Sequence, residues 1–256
     1  VKEIKVITRI CEDREEIQNG KNRTHGENRK NRKNQIEMEE VRILANGIWY
    51  VFLVMDELFP CAVPLSPQKI RACIQDYGQK LCQSGVHVAY SFTQILEAGK
   101  ESLHALEAEG FLTRDCYCRC AESLERMEAY SWKEHQIICH GDLSNVNVMQ
   151  NAEGQLVVID WEDALLAFEE YDFLYWLTFF SQRNYYTQEL LRSCGIGLEW
   201  GTDLMVLIII IKSRMSYWNG SYVKNRMSYQ DRIYEIYKIK EESFGDAKEG
   251  VGKCRI

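Results

Sequence analysis

Three oxygen-bearing side chains fall close together in the second half of the chain. In His140-Gly141-Asp142-Leu143-Ser144-Asn145-Val146-Asn147 a carboxylate and a carboxamide stand five positions apart, and Asp160 follows the apolar run Val157-Val158-Ile159. Apolar segments lead into both sets, Gln136 to Cys139 before the first and Gln155 to Ile159 before the second, with Asn151 to Gly154 as the turn between. Two short strands joined by such a turn bring Asp142, Asn147 and Asp160 around one point. Magnesium takes oxygen ligands in near-octahedral geometry and keeps positions for phosphates and water, so an Asp/Asn/Asp set suits a metal-bridged phosphate. Singly, each of these residues reads as a turn cap, the commonest use of Asp and Asn in loops. Together, with apolar strands feeding them, they point to phosphoryl chemistry.

The pattern resembles the catalytic segment of the aminoglycoside phosphotransferase and choline kinase-like family of small-molecule kinases, relatives of the protein kinases. Protein kinases pair the Asp of a His-Arg-Asp loop with an Asn five residues on and a later metal-binding Asp; the small-molecule kinases usually show His-Gly-Asp or His-Asn-Asp. The resemblance covers roughly Val41 to Phe180. It implies an α+β, protein-kinase-like two-lobed fold, with a reduced or divergent amino-terminal lobe over 1–58 and a mainly helical carboxy-terminal lobe over 59–256. It implies that Asp142 is the catalytic base and that His140 braces the loop. Asn147 and Asp160 would hold Mg2+ against the phosphates of ATP or GTP. Asp172, in Glu170-Tyr171-Asp172-Phe173, resembles the family's later aspartate that supports the catalytic loop; by itself it reads as a helix N-cap. Trp161 and Glu162 resemble residues that often follow the metal aspartate, and each has an equal packing or surface reading.

By the same resemblance Ile48 to Met55 is the last strand of the small lobe and Asp56 to Phe59 the hinge, where backbone groups meet the adenine. Met55, Asp56, Glu57 and Leu58 are therefore nominated as nucleotide contacts. Lys5 is nominated as the strand lysine on the phosphates, with Glu37, Glu39 or Glu40 as its partner. No glycine-rich hairpin over the phosphates is identifiable, because Gly20 and Gly26 lie in a polar stretch without strand texture. Two outcomes stay open: a phosphotransferase acting on the hydroxyl of a small molecule such as an aminoglycoside or choline, or a pseudokinase serving as a nucleotide-binding or interaction module. A metal-dependent phosphate-ester hydrolase fits less well, since no histidine-rich second metal set accompanies the first.

Evidence for the acceptor is thin in the sequence. Glu162, Asp163, Glu169 and Glu170 would favour a cation, although acidic side chains are usually just solvated. Tyr171, Tyr175 and Trp176 have a spacing that suits helix packing; the same rings would also serve an aromatic box for a quaternary ammonium.

The elements that must position these residues follow from periodicity and punctuation. Ile4 to Ile10 reads as a strand, Cys11 to Ile17 as a charged turn or short helix, and Gln18 to Gln35, with six Lys or Arg and one Glu, as a solvated loop. Ile36 to Leu44 is a short helix or strand, followed by an Asn46-Gly47 turn and the apolar, aromatic Ile48 to Met55, which suits a central strand. Ser66-Pro67 opens a helix on which Ile70, Cys73, Ile74, Tyr77 and Leu81 recur at helical spacing. Further helices are expected over Phe92 to Glu109, Ala121 to Trp132, Phe168 to Phe180, Asp203 to Tyr217 and Ser228 to Glu241. Cys116, Cys118 and Cys120 read as reduced cysteines where a helix starts after a loop, since structural zinc sites use wider gaps and further ligands.

The whole chain is consistent with this. Its 256 residues are 46% hydrophobic, 27% charged and 11% aromatic with only 3 prolines, which excludes a disordered or fibrous protein. A net charge of -7 disfavours nucleic acid as a partner. Ten scattered cysteines lack the dense spacing of a secreted disulfide scaffold and fit a cytoplasmic protein. No apolar leader opens the chain, and the run Leu204 to Ile211 is far short of the ~20 residues that span a bilayer, so no membrane partner is expected and this run is a buried helix.

Overall fold

The computed structural model describes residues 4–10, 39–45, 48–54, 57–61, 64–84, 86–130, 136–220 and 229–249. The expected turn over Cys11 to Ile17, the basic loop, the Asn46-Gly47 turn and the nominated contacts Met55 and Asp56 lie outside these residues. Contacts divide the chain into two compact units, Val1–Pro60 with Met149–Val157, and Cys61–Val148 with Val158–Ile256.

The first unit holds an antiparallel sheet of β1 (Ile4–Ile10), β2 (Glu39–Ala45) and β3 (Ile48–Val54) in the order β1-β3-β2. The uniformly apolar β3 takes the centre, as its composition requires of a strand paired on both edges. Its register runs from Glu39↔Val54 to Ala45↔Ile48 on one side. On the other it runs from Ile4↔Val54 to Ile10↔Trp49, with a bulge between Val6 and Thr8. The segment expected to be helix or strand over Ile36 to Leu44 is a strand from Glu39 on, the part that the described residues cover. A second small sheet orders β4 (Phe59–Pro60), β7 (Val148–Gln150) and β8 (Leu156–Val158) as β4-β7-β8. The β7–β8 turn closes through Asn151, whose Oδ1 accepts from Gln155 N at 2.8 Å.

The second unit is mainly helical. Helix α1 (Pro67–Ser84) starts where Ser66 Oγ accepts from Lys69 N, and it buries Ile70, Ile74 and Tyr77. Helices α2 (Phe92–Ala108), α3 (Arg114–Ala129), α6 (Leu198–Trp218) and α7 (Tyr229–Glu249) form the core around α6, whose residues Leu204 to Ile210 are all buried. Gly99 lets α2 approach α6: a Cβ there would collide with Leu207 Cδ1. Among the described residues no helix is long and apolar enough to cross a membrane.

One boundary differs from expectation. Helix α3 begins at Arg114, seven residues before the Ala121 read from periodicity, because Thr113 caps it by accepting from Cys116 N and Asp115 sits in its first turn. Cys116, Cys118 and Cys120 therefore lie inside the helix, with Cys116 and Cys120 fully buried. Helices α4 (Tyr171–Leu177) and α5 (Gln188–Ser193) are short, the first more so than Phe168 to Phe180 suggested. A third sheet orders β5 (Tyr90–Ser91), β9 (Leu165–Ala167) and β6 (Ile137–Cys139) as β5-β9-β6.

Candidate active site

Strand β6 delivers its chain directly into the His140–Asn147 loop, and β9 pairs back on it with Cys139 opposite Leu165. This pairing folds the Asp160 turn onto the loop. The loop is tied to the following strand by Ile159 N donating to Asn147 O at 3.0 Å, which sets Asp160 one residue from Asn147's partner. Asp142 and Asn147 meet directly: Asn147 Nδ2 donates to Asp142 O at 2.8 Å and lies 3.4 Å from Asp142 Oδ2. With its amide nitrogen turned to Asp142, Asn147 keeps its oxygen, the end suited to a hard cation.

His140 is completely buried and is used for structure. Its Nδ1 accepts from Asp142 N at 3.2 Å, so the network assigns the proton to Nε2, which donates to Ile159 O at 2.8 Å. The ring thus ties the loop that carries Asp142 to the strand end that carries Asp160, and Trp161 packs on it with centroids 4.8 Å apart. Trp161 is held in turn by a hydrogen bond from Nε1 to Val158 O and by an edge contact with Tyr77.

Beneath the loop lies Asp172, 1% exposed. Its Oδ2 accepts from His140 N at 2.7 Å and from the Tyr77 hydroxyl at 2.5 Å, and its Oδ1 accepts from Gly141 N at 3.1 Å. Burial pushes its pKa up, against the opposing pull of these three donors. The helix N-cap reading of Asp172 therefore does not describe its contacts. The same face of α4 reaches the loop at two more points, since positions i, i+3 and i+4 align on a helix. Tyr175 stands near the Asp142 carboxylate; burial first, then the negative Asp142, raises the pKa of its hydroxyl. Trp176, fully buried, donates from Nε1 to Asn145 Oδ1 at 2.7 Å.

Backbone conformation is specialised at two positions. Gly141 has φ +88, and a Cβ there would fall inside the van der Waals shell of the Asp163 carbonyl oxygen, 2.8 Å from its carbon. Asp160 has φ 67, the only positive value among the described non-glycine residues, and its carboxylate makes no capping bond to the 3-10 turn that follows, Trp161–Asp163. Such conformations cost on the order of 1–3 kcal/mol and concentrate at functional sites. Asp160 is exposed, whereas Asn147 is buried and Asp142 half-buried.

The other nominated residues fall elsewhere. Lys5 lies on β1, an edge of the first sheet, opposite Leu53. Glu57 is exposed and Leu58 half-buried in the segment between β3 and β4. Of the four acids expected near the site, Glu162 and Asp163 follow Asp160 and are exposed. Glu169 and Glu170 instead line a recess with Arg71, Gln75, Phe173 and Cys194. An aromatic box of Tyr171, Tyr175 and Trp176 does not form: Tyr171 and Trp176 are in the core, and the face of Tyr175 is covered by the Lys212 ammonium, 3.6 Å from the ring centroid. Helix packing, not ligand contact, explains that spacing. Lys212 and the Trp176–Asn145 contact were missed from sequence. Lys212 ends an apolar run some seventy positions from Asp142, and nothing local signals their approach.

Among the described residues no three or more His, Cys, Asp or Glu gather at metal-binding range. An ion here would rest on Asn147, Asp160 and the oxygens of its ligand, a set that fits magnesium with a phosphate and does not fit an all-protein cage.

Residues 75–199 match the model described as APH, the phosphotransferase enzyme family. No curated protein matches the chain by sequence. Among solved structures the chain is similar to an aminoglycoside phosphotransferase from Alicyclobacillus acidocaldarius, with 13% identity, 81% of this chain and 74% of that one covered, and a TM-score of 0.54. It is similar to the choline kinase LicA from Streptococcus pneumoniae, with 14% identity, coverage of 79% and 73%, and a TM-score of 0.52. It is also similar to a thermostable mutant of the aminoglycoside phosphotransferase APH(4)-Ia solved with ADP and hygromycin B, at 13% identity, coverage of 80% and 76%, and a TM-score of 0.53. The resemblance carried by the His-Gly-Asp loop holds. The fold is the protein-kinase-like α+β fold, with small sheets and a mainly helical carboxy-terminal part.

Proposed function

We propose that this chain, which matches the phosphotransferase enzyme family over residues 75–199 and has the fold of aminoglycoside phosphotransferases and choline kinases, moves the γ-phosphate of ATP or GTP to a small-molecule hydroxyl. The observation that carries the reading is one hydrogen-bonded unit: Asp142 and Asn147 bonded to each other, Asn147 bonded to Ile159 beside Asp160, and the whole loop seated on buried Asp172.

In this reading Asp142 orients the acceptor hydroxyl and takes its proton as the alcohol oxygen bonds to the γ-phosphorus and the β–γ bridge breaks. Asn147 and Asp160 hold magnesium, which when bound neutralises charge on the phosphate oxygens. His140 keeps the loop and the Asp160 turn in register. Met55, Glu57, Leu58 and Lys5 contribute on the nucleotide side, the first three at the hinge and Lys5 at the phosphates. Positioning and electrostatics supply most of the catalysis in this reaction class, which suits a site whose polar groups are fixed before substrate arrives. Aminoglycoside-like and choline-like alcohols are the acceptor classes the likeness nominates. The free thiols among the described cysteines suit the reducing cytoplasm, where the nucleotide is supplied.

A second reading, a pseudokinase that binds nucleotide or a partner without turnover, is favoured by one observation: neither β1 nor β2 contains a glycine, so a glycine-rich hairpin over the phosphates is not evident. Nucleotide titration with and without magnesium, on wild type and Asp160→Ala, tests both. Magnesium-dependent binding lost in Asp160→Ala, followed by γ-phosphate consumption against aminoglycosides, choline or sugars, is the expected result. Binding without turnover on any acceptor selects the pseudokinase, and no binding by folded wild type refutes the proposal.

A further inference from the structure

The cation that fills the aromatic pair beside Asp142 belongs to the chain itself. Lys212 Nζ lies 3.6 Å from the Tyr175 ring centroid and 3.5 Å from that of Phe179, two rings that meet edge to face at 5.9 Å. It donates to Thr178 Oγ1 at 2.8 Å and to Tyr175 O at 3.2 Å. Among the described residues no carboxylate pairs with it; the charged groups that face it are Asp142 and Arg232, whose guanidinium bonds Thr178 O. Tyr175 stands on the α4 face whose other members, Asp172 and Trp176, bond the catalytic loop on either side of Asp142. One edge of this ring therefore addresses the loop, and one face carries an ammonium.

An alcohol presented to Asp142 brings its neighbouring groups to this ring. In choline the quaternary nitrogen is joined to the hydroxyl by a single ethylene link, so it must be accommodated close to Asp142. Aromatic faces are the preferred protein surface for such a cation, but here they are taken by a like charge, with Arg232 adding a second positive group behind it. Like-charge juxtaposition is an effective way to reject a ligand.

We propose that Lys212 sets acceptor specificity: by seating its ammonium on Tyr175 and Phe179 beside Asp142, it excludes alcohols whose quaternary cation adjoins the hydroxyl and admits those uncharged at that position. This rests on the phosphotransferase reading with Asp142 as the group that meets the hydroxyl. Lys212 also caps the carbonyl end of α4, as a lysine at a helix C-terminus does, and that role alone predicts no change in selectivity.

The test titrates choline and its neutral isostere 3,3-dimethylbutan-1-ol into wild type, Lys212→Ala, Lys212→Met and Lys212→Arg in the presence of magnesium and a non-hydrolysable ATP analogue. Circular dichroism confirms folding of each variant. Choline is expected to bind Lys212→Ala roughly tenfold more tightly than wild type or Lys212→Arg, with a gain larger than that for the neutral isostere. If Lys212→Ala does not fold, Lys212→Met, which removes the charge but fills the space of the stem, carries the same comparison with Lys212→Arg. Equal choline affinity in wild type and the folded charge-removed variant overturns the proposal, and so does a gain matched by the isostere. Binding of the ATP analogue to wild type, recorded in the same titrations, reports separately on the phosphotransferase reading.

Discussion

Asp172 is the residue on which the geometry of the loop most depends, and replacing it by Asn is the sharpest test of that dependence. Three donors converge on its two oxygens: Tyr77 Oη and His140 N on Oδ2, Gly141 N on Oδ1. An amide offers one accepting atom and turns an NH2 toward the rest. Either orientation leaves at least one buried donor facing a donor, and each such unpaired group costs about 1–3 kcal/mol. Removing a desolvated charge returns part of this, since burial opposes ionisation of Asp172. The net expectation for Asp172→Asn is a loss of about 2 kcal/mol, and for Asp172→Ala, which leaves all three donors unpaired, about 3–5 kcal/mol. At ~2–4 °C per kcal/mol for a chain of this size, Asp172→Asn should melt about 4–8 °C below wild type. Because the folded-state pKa is raised, the folded wild type binds a proton at Asp172 before the unfolded chain does, so its stability relative to the non-titrating Asp172→Asn should grow as pH falls through that raised value. Chemical denaturation at several pH values measures this directly, and Tyr77→Phe, which removes one donor along with its need for a partner, should cost less than Asp172→Ala. An Asp172→Asn protein within about 0.5 kcal/mol of wild type at neutral pH would refute the argument that this carboxylate organises the loop.

Two further outcomes follow from the same geometry. Gly141→Ala forces a side chain into φ +88 against the Asp163 carbonyl, whereas Gly154→Ala, at φ +75, meets only open space. The first should therefore lose about 2–4 kcal/mol and its magnesium-dependent nucleotide binding, and the second only about 1 kcal/mol in denaturant melts. Burial, then the nearby Arg232, lowers the Lys212 pKa well below 10.5, opposed by Asp142. The unfolded chain thus binds more protons here than the folded one, and wild-type stability relative to Lys212→Met should rise with pH between the lowered value and 10.5, by up to about 1.4 kcal/mol per pH unit. A pH-independent difference would contradict this.

The sequence by itself determined the strand before each polar turn, the Ser66-Pro67 helix start, the burial of Leu204 to Ile210 and the meeting of Asp142 with Asn147. Each of these rests on local signals: apolar runs bounded by turn residues, a cap followed by proline, and a five-residue offset within one loop. The start of α3 is set by Thr113, and the buried stripe behind it opens with Cys116 and Cys120, which read locally as cysteines after a loop, so the helix begins earlier than its Leu124 and Met127 alone suggest. Only the tertiary structure decided what surrounds the site. Asp172 is a loop brace because β6 carries His140 N and Gly141 N onto its carboxylate, and α1 brings the Tyr77 hydroxyl from the other side. Tyr171 and Trp176 are buried in the core, and the face of α4 that carries Asp172 and Trp176 also brings both onto the loop, because positions i and i+4 of a helix align. Lys212 reached the Tyr175 and Phe179 rings because α6 packs along α4, a contact between segments more than thirty residues apart. Local chemistry is written in adjacent residues; the partners that tune it are chosen by packing, and packing is not visible until the helices are in place.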